Sequence, residues 1–352
     1  MKTKAWVLEK FGYDGISFKE FDIGELAEGE VLVKVLSCGV CYRDIIDIQG
    51  GFKYTILPTV PGHEICGIVE KVRVGNADVP PFSEGDIVIS RHGPFCGRCE
   101  LCLSGKDNLC TKSGRFVHTM PGGYSEYIKA HWSAFVKVPE NLIKSLSYSQ
   151  LSIIFCAVGT AYRAIVHQGK IKPGDVVLVT GASGGVGLHA IQIAKSSGAY
   201  VLAVTSSKSK VEKLKEFGAD EVILSEDMRF NDEVMKRTGG KGVDVVIENT
   251  GSIGLEGAIR SLKLGGTLVL IGNIKVDRYQ LNPGMVIVRE LKLKGSVGIN
   301  QNELQNLFRL IESGKVRPII SEEFPLERAI DAHSKMKNKN ALGRFALVCK
   351  QW

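Results

Sequence analysis

A run of glycines at a strand-to-helix junction constrains this chain more than any other feature. The apolar strand VVLVT ends in Gly181-Ala182-Ser183-Gly184-Gly185-Val186-Gly187, and the helical pattern HAIQIAK follows. Glycines at such a junction let backbone N–H groups approach a pyrophosphate, while the helix N-terminus favours its charge. A tight packing turn would also use glycine, but the flanking strand and helix point to a dinucleotide site. Its form is Ala-x-Gly-x-x-Gly, with Ala182 in the place of the usual first glycine. The surrounding sequence follows the same plan: strand AYVLAVT, helix SKVEKLKEFG, strands EVILS and VDVVIENTG, helix GLEGAIRSL, strand GTLVLIG. Strands alternating with helices of about 10–15 residues predict a doubly wound parallel sheet. Residues 300–315 then read as an amphipathic helix.

The next strand selects the nucleotide. It ends Val204-Thr205-Ser206-Ser207-Lys208-Ser209-Lys210, without the acid that an NAD site places there for the ribose hydroxyls. Thr205, Ser206, Ser207 and Lys210 instead offer donors for a 2′-phosphate, which an acid would repel. A polar helix start with a Ser or Thr cap is the plainer alternative. NADP(H) is the expected cofactor.

Before about residue 155 the pattern differs. VLVKVLSCGV, EICGIVEKVRVG and GDIVISRHG are short strands separated by turn residues such as QGGF. They suit an all-β, partly open barrel. At 352 residues the chain exceeds what one core usually organises, so two domains are expected.

Two sets of residues have the chemistry of metal ligands. Cys96, Cys99, Cys102 and Cys110 follow C-x2-C-x2-C-x7-C. Four thiolates so close together can close a tetrahedral zinc site with no open position. An iron–sulfur cluster is the alternative, although the last gap is seven residues and no proline follows. The second set is dispersed: Cys41 with Asp44, His63 with Glu64, and Cys156. Taken singly, Cys156 in the apolar IIFCAV reads as a small hydrophobe and His63 as an interior histidine. Together, Cys41, His63 and Cys156 supply three ligands and leave a fourth position open, the arrangement of a catalytic zinc.

Composition removes other classes. The net charge of +7 is spread through helical stretches, which argues against a nucleic-acid footprint and fits either an anionic small molecule or a solvated lysine-rich surface. The most apolar stretch, residues 151–166, contains Arg163 and is short for a membrane span. The start MKTKAWVLEKFG has no apolar signal region, so a cytoplasmic protein is expected. Its nine cysteines then point to metal binding and not to disulfides.

The combination G-V-C-x-x-D, P-G-H-E-x-x-G, the four-cysteine lobe and a late Cys before A-x-G-x-x-G resembles the zinc-containing medium-chain dehydrogenase/reductase superfamily, the alcohol dehydrogenase superfamily. The resemblance covers nearly the whole chain. It implies a GroES-like catalytic domain over 1–156 and 300–352, with a structural-zinc lobe at about 92–112, and a Rossmann domain over 157–299. Carried over by motif, Cys41, His63 and Cys156 resemble catalytic-zinc ligands. Glu64 resembles the nearby acid that can exchange at the metal, Asp44 the partner of the ligand histidine, and Thr160 a nicotinamide-contacting residue. Two zinc ions per subunit and a homodimer or homotetramer are expected. The expected partner is a small-molecule substrate, with no nucleic acid and no membrane.

One departure bears on the substrate. Alcohol dehydrogenases of this type carry Ser or Thr two residues after the first ligand, and often His five after it, to pass the alcohol proton to solvent. Here those positions are Arg43 and Ile46. An isoleucine carries no proton, and an arginine is a poor base but a good anion clamp. Arg43 could equally be structural, paired to an acid. The CYRD motif, IQG, GHE, VTGASGGVGLHAIQIAK and a later IGN resemble archaeal acryloyl-coenzyme A reductases within this superfamily. That resemblance implies NADPH-dependent reduction of a short conjugated enoyl thioester such as acryloyl-CoA. A zinc alcohol or aldehyde oxidoreductase is the alternative, and a non-catalytic nucleotide-binding protein of this fold the remote one.

Overall fold

Two units divide the chain: Met1–Cys156, Asn300–Phe308 and Ile320–Trp352 form the first, Ala157–Ile299 and Arg309–Ile319 the second. The computed structural model describes residues 1–74, 80–112, 114–272, 277–338 and 341–349. Asn273 of the IGN motif lies outside them.

The first unit begins with an antiparallel pair, β1 (Lys2–Leu8) and β2 (Ile16–Asp22). Its main sheet is built from β3 (Glu30–Val40), β4 (Glu64–Val72), β5 (Ile87–Ser90), β6 (Tyr127–His131) and β7 (Phe135–Lys137). The second unit supplies β8 (Val176–Val179), β9 (Tyr200–Thr205), β10 (Glu221–Leu224), β11 (Val243–Glu248), β12 (Leu262–Leu270) and β13 (Lys292–Gly295). The chain then returns to the first unit with β14 (Ile320–Pro325) and β15 (Arg344–Val348). The first unit's sheet runs β14-β15-β3-β4-β5-β7, with β6 also hydrogen-bonded to β3. β3 is therefore interior, and that explains its near-continuous apolar sequence: both faces are covered. Val31, Val33, Val35, Ile65, Val69, Phe116 and Tyr124 belong to the core beneath it.

The second unit's sheet has the order β10-β9-β8-β11-β12-β13, every pairing parallel. Parallel strands need helical crossovers that cover both faces, so β8, β9 and β11 are apolar without alternation. The sequence reading assigned all of 300–352 to the catalytic domain, whereas Arg309–Ile319 groups with the second unit. Hydrogen bonds explain the difference: Gln192 exchanges two with the backbone of Arg317 (2.9 and 3.1 Å), and Ile319 N–H donates to His189 Nε2 at 3.0 Å. No helix among the described residues is long and apolar enough to cross a membrane.

Candidate active site and nucleotide site

Strand register assembles the dispersed ligand set in the first unit. β3 and β4 are antiparallel with Gly39 opposite Glu64, which sets Cys41 beside His63. β15 pairs with β3 so that Phe345 faces Val40, and this brings Arg344 to Cys41. A glycine is required at position 39, because a Cβ there would lie 2.3 Å from Glu64 Oε2 and 2.7 Å from Ile153 Cγ2. Cys41 then caps the helix Tyr42–Ile48, its backbone N–H donating to Asp44 Oδ2 at 2.8 Å. The Cys-x-x-Asp spacing is thus a capping device as well as a way of placing Asp44 against His63. Cys156 arrives from the chain segment Ile154–Val158, which winds as a π-type turn, a form frequent at functional sites.

The donor atoms of Cys41, His63, Glu64 and Cys156 all lie within 4.8 Å of one another. Cys156 Sγ is 3.5 Å from His63 Nε2. A zinc ion bound tetrahedrally at ordinary Zn–S and Zn–N lengths holds such a pair about 3.6 Å apart, so the donor set fits that ion. His63 Nδ1 meets Asp44 Oδ1 at 3.0 Å, which turns Nε2 toward the two sulfurs. Arg344 donates to both oxygens of Glu64, at 2.8 and 3.2 Å, and to Cys41 Sγ at 3.2 Å.

The electrostatics follow from burial and these contacts. Cys41 is held well below the ordinary thiol range by its hydrogen bond with Cys156 and, against burial, by the charges of Arg344 and His63. The Cys156 thiol is pushed up by the same bond and by burial. Burial raises the Glu64 carboxyl, and the Arg344 charge opposes it. Burial and the Arg43 charge depress the His63 imidazole, but Asp44 and Cys41 outweigh them and lift it to about 10.

The four-cysteine set forms a separate cluster, all four sulfurs within 4.8 Å of one another. Cys96 and Cys102 are 3.9 Å apart and Cys99 and Cys110 4.0 Å apart, too long for disulfides. Four sulfurs at about 2.3 Å from one ion lie about 3.8 Å apart, so this cluster also fits zinc. Buried Arg91 secures the lobe: it pairs with Asp107 and with Gln301, and stacks 4.5 Å above the ring of Phe95.

In the second unit the glycine turn follows β8, beside the end of β11. The strand order reverses between these two strands, and open parallel sheets take ligands at that point. Gly181 has φ +54°, a left-handed conformation that only glycine adopts at little cost. A Cβ at Gly187 would stand 2.4 Å from the Gly181 carbonyl oxygen and 2.8 Å from Ala182 Cα, so that glycine lets the helix Gly185–Ser196 sit hard against the turn. Ala182, which replaces the usual first glycine, is buried with its N–H on the Val204 carbonyl at 3.2 Å. Ser183, Gly184, Gly185 and Val186 complete the turn and first helical residues. Thr205 is buried at the end of β9, where its Oγ1 accepts from Ser207 N–H at 3.2 Å; Ser206, Ser207 and Lys210 are half-exposed around it. Thr160 is buried in the short helix Gly159–Tyr162, which packs against Gly185–Ser196.

The two positions of the missing relay are also placed. Arg43 donates from Nε to Asp47 at 3.2 Å and from Nη2 to the Phe116 carbonyl at 3.0 Å. It is paired to a buried acid, as the structural alternative had it, and Asp47 in turn holds His118 Nε2 at 2.9 Å. Ile46 is buried. Sequence reasoning missed Arg344, Tyr124, His333 and His92. Arg344 stands in an ordinary strand, GRFALV, about 300 residues from Cys41, and only the β15–β3 register joins them. His92 is 5.8 Å from the His63 ring and packs edge-on against Phe155.

Comparison with known proteins agrees with this geometry. Residues 27–140 match the alcohol dehydrogenase GroES-like domain family, and residues 185–313 the zinc-binding dehydrogenase family. An acryloyl-coenzyme A reductase of Sulfurisphaera tokodaii is 33% identical over 331 residues, covering 94% of this chain and 95% of that protein. An alcohol dehydrogenase of Geobacillus stearothermophilus is 33% identical over 346 residues, 98% and 99% of the two chains. The crystal structure of AibC, 39% identical, superposes with a TM-score of 0.88 over 99% of this chain and 96% of that one. With likenesses that run the length of both partners, the chain belongs to the zinc-type alcohol dehydrogenase superfamily, the medium-chain dehydrogenases/reductases, and is an oxidoreductase of that kind.

Proposed function

We propose that this oxidoreductase uses NADPH to reduce the carbon–carbon double bond of a short conjugated enoyl thioester such as acryloyl-CoA. The observation that carries the reading is the helix Tyr42–Ile48. Where an alcohol dehydrogenase places its proton relay, this helix has Arg43, engaged with Asp47 and Phe116, and Ile46, which is buried. An alcohol must lose its hydroxyl proton as hydride leaves, and neither side chain carries it. Conjugate reduction has no such early demand: hydride adds to the β-carbon, the thioester oxygen carries the enolate charge, and water can protonate the α-carbon. The likeness to an acryloyl-coenzyme A reductase over 94% of the chain supports the same reading.

Cys41, His63 and Cys156 would hold one zinc ion and the four-cysteine lobe a second, two per subunit. When bound, the first supplies Lewis acidity for the thioester oxygen, and NADPH supplies the hydride. The chain's own residues prepare both sites. Asp44 fixes the face that His63 presents, and Arg344 balances the negative charge of Glu64 and Cys41. The backbone at Gly184 would take the pyrophosphate, with Gly181 and Gly187 letting turn and helix close up, and Thr205, Ser206, Ser207 and Lys210 would offer donors to a 2′-phosphate. We place the enzyme in the cytoplasm as a homodimer or homotetramer with a small-molecule substrate and neither a nucleic-acid nor a membrane partner.

A zinc-dependent alcohol or aldehyde dehydrogenase is the second reading, favoured by the likeness to the Geobacillus enzyme. NADPH oxidation with acryloyl-CoA, measured beside NADP⁺ reduction with ethanol, butanol and benzyl alcohol, separates the two. Efficient thioester reduction with weak alcohol oxidation is expected, and the reverse result refutes the proposal. Arg43→Thr with Ile46→His should raise alcohol oxidation.

A further inference from the structure

Asp44 is the inner end of a buried hydrogen-bond chain that leaves the metal-ligand set and runs to the C-terminal helix. Tyr124 Oη lies 3.2 Å from Asp44 Oδ2, and His333 Nε2 lies 2.9 Å from Tyr124 Oη. His333 Nδ1 is 3.0 Å from Tyr13 Oη. Asp44, Tyr124 and His333 are all fully buried, and Tyr13 is half-buried. Tyr124 is fixed there by close packing, since a Cβ on Gly62 would come within 2.4 Å of its ring. His333 rides on the helix Ala329–Lys337, a segment some 270 residues from His63 in sequence.

The donor inventory leaves this chain one consistent direction. The Asp44 carboxylate only accepts, so Tyr124 O–H donates to it, as do Cys41 N–H and His63 Nδ1–H. The Tyr124 oxygen then has lone pairs left for a donor, and His333 Nε2–H fills that role. His333 Nδ1 is consequently bare and accepts from Tyr13 O–H. Burial holds the His333 imidazole down at about 4, which keeps it neutral and leaves it a single N–H. His63 keeps its hydrogen on Nδ1 throughout, so its Nε2 is the atom presented to Cys41 and Cys156.

We infer that Tyr124 and His333 are positioning residues for the metal-binding imidazole: their donors hold Asp44 in the place and orientation that turns His63 Nε2 into the ligand set. Partners of a ligand histidine typically tune metal affinity by about 10- to 100-fold, and these two stand one and two links further out. The inference rests on the reading that Cys41, His63 and Cys156 hold a metal.

The test uses the full-length zinc-loaded protein and chelator competition followed by zinc analysis, with Tyr124→Phe, His333→Leu and His333→Gln. The parent should hold two zinc ions. Tyr124→Phe and His333→Leu should each release the ion of the Cys41 set at about tenfold lower chelator concentration, and the four-cysteine ion should be unaffected. The double variant should lose no more than either single one, because the two links act in series. His333→Gln, whose amide can donate to Tyr124 and accept from Tyr13, should stay within about threefold of the parent. Cobalt substituted at the Cys41 set should show a shifted visible spectrum in the first two variants and the parental one in the third. Parental zinc affinity and cobalt spectrum in Tyr124→Phe and His333→Leu, even with lowered thermal stability, would overturn the positioning role alone. A parent holding only the four-cysteine zinc would overturn the metal reading and this inference together.

Discussion

Replacing Arg344 by methionine isolates the contribution of the guanidinium that contacts Glu64 and Cys41. The Arg344 side chain is 7% exposed and that of Glu64 0%. Methionine keeps most of the volume but removes both hydrogen bonds to Glu64 and the one to Cys41. The carboxylate is then buried without its counter-charge, and breaking such a pair from one side costs about 3–5 kcal/mol. The first unit contains about 200 residues, for which 1 kcal/mol corresponds to roughly 2–4 °C in Tm. Thermal unfolding followed by circular dichroism should therefore show the first unit's transition lowered by about 6–20 °C. Adding Glu64→Gln removes the stranded charge and leaves an amide whose missing partner costs about 1–3 kcal/mol. The double variant should regain roughly half of the loss. A drop of under about 2 °C in Arg344→Met, or a double variant no more stable than the single one, would refute the claim that charge compensation at Glu64 is what Arg344 contributes.

Three further outcomes follow from the two units. Thr205→Asp should reverse cofactor preference from NADPH to NADH, because the new carboxylate can still accept from Ser207 N–H while repelling a 2′-phosphate; equal kcat/KM for both cofactors in the parent would refute the reading of this strand end. Cys99→Ser should lower Tm and lose one zinc, and Cys156→Ser should lose the other and mainly activity; retention of all zinc after Cys156→Ser would count against the second site. Glu248→Gln should raise stability at neutral pH. Burial lifts the Glu248 carboxyl, whose Oε2 has no hydrogen-bond partner among the described residues, so the parent's stability is fully present below the ordinary carboxyl value and is lost as pH rises through the folded one. Tm measured at about pH 7.5 should rise, while the two proteins should match near pH 4; a gap of equal size at both pH values would contradict the titration argument.

Local sequence was sufficient wherever function and structure share a short stretch of chain. The glycine turn was legible because strand, turn and helix are consecutive, and steric need specifies Gly181 and Gly187 on the spot. Cys96, Cys99, Cys102 and Cys110 were legible for the same reason: fifteen residues enclose a complete donor set. The alternation of apolar strands and helices likewise announced the parallel sheet, since βαβ units are local. Tertiary structure decided whatever depends on register between distant strands. It assigned Arg43 to Asp47, because a guanidinium follows the nearest buried acid and the sequence does not reveal which acid is buried. It moved Arg309–Ile319 to the second unit through side-chain bonds with Gln192 and His189. It also set Arg344 against Cys41 and Glu64, and His333 behind Tyr124 and Asp44. A one-residue slip of β15 on β3 would point Arg344 to the other face of the sheet. That alignment is fixed by the burial of whole strands, and no pattern within GRFALV records it.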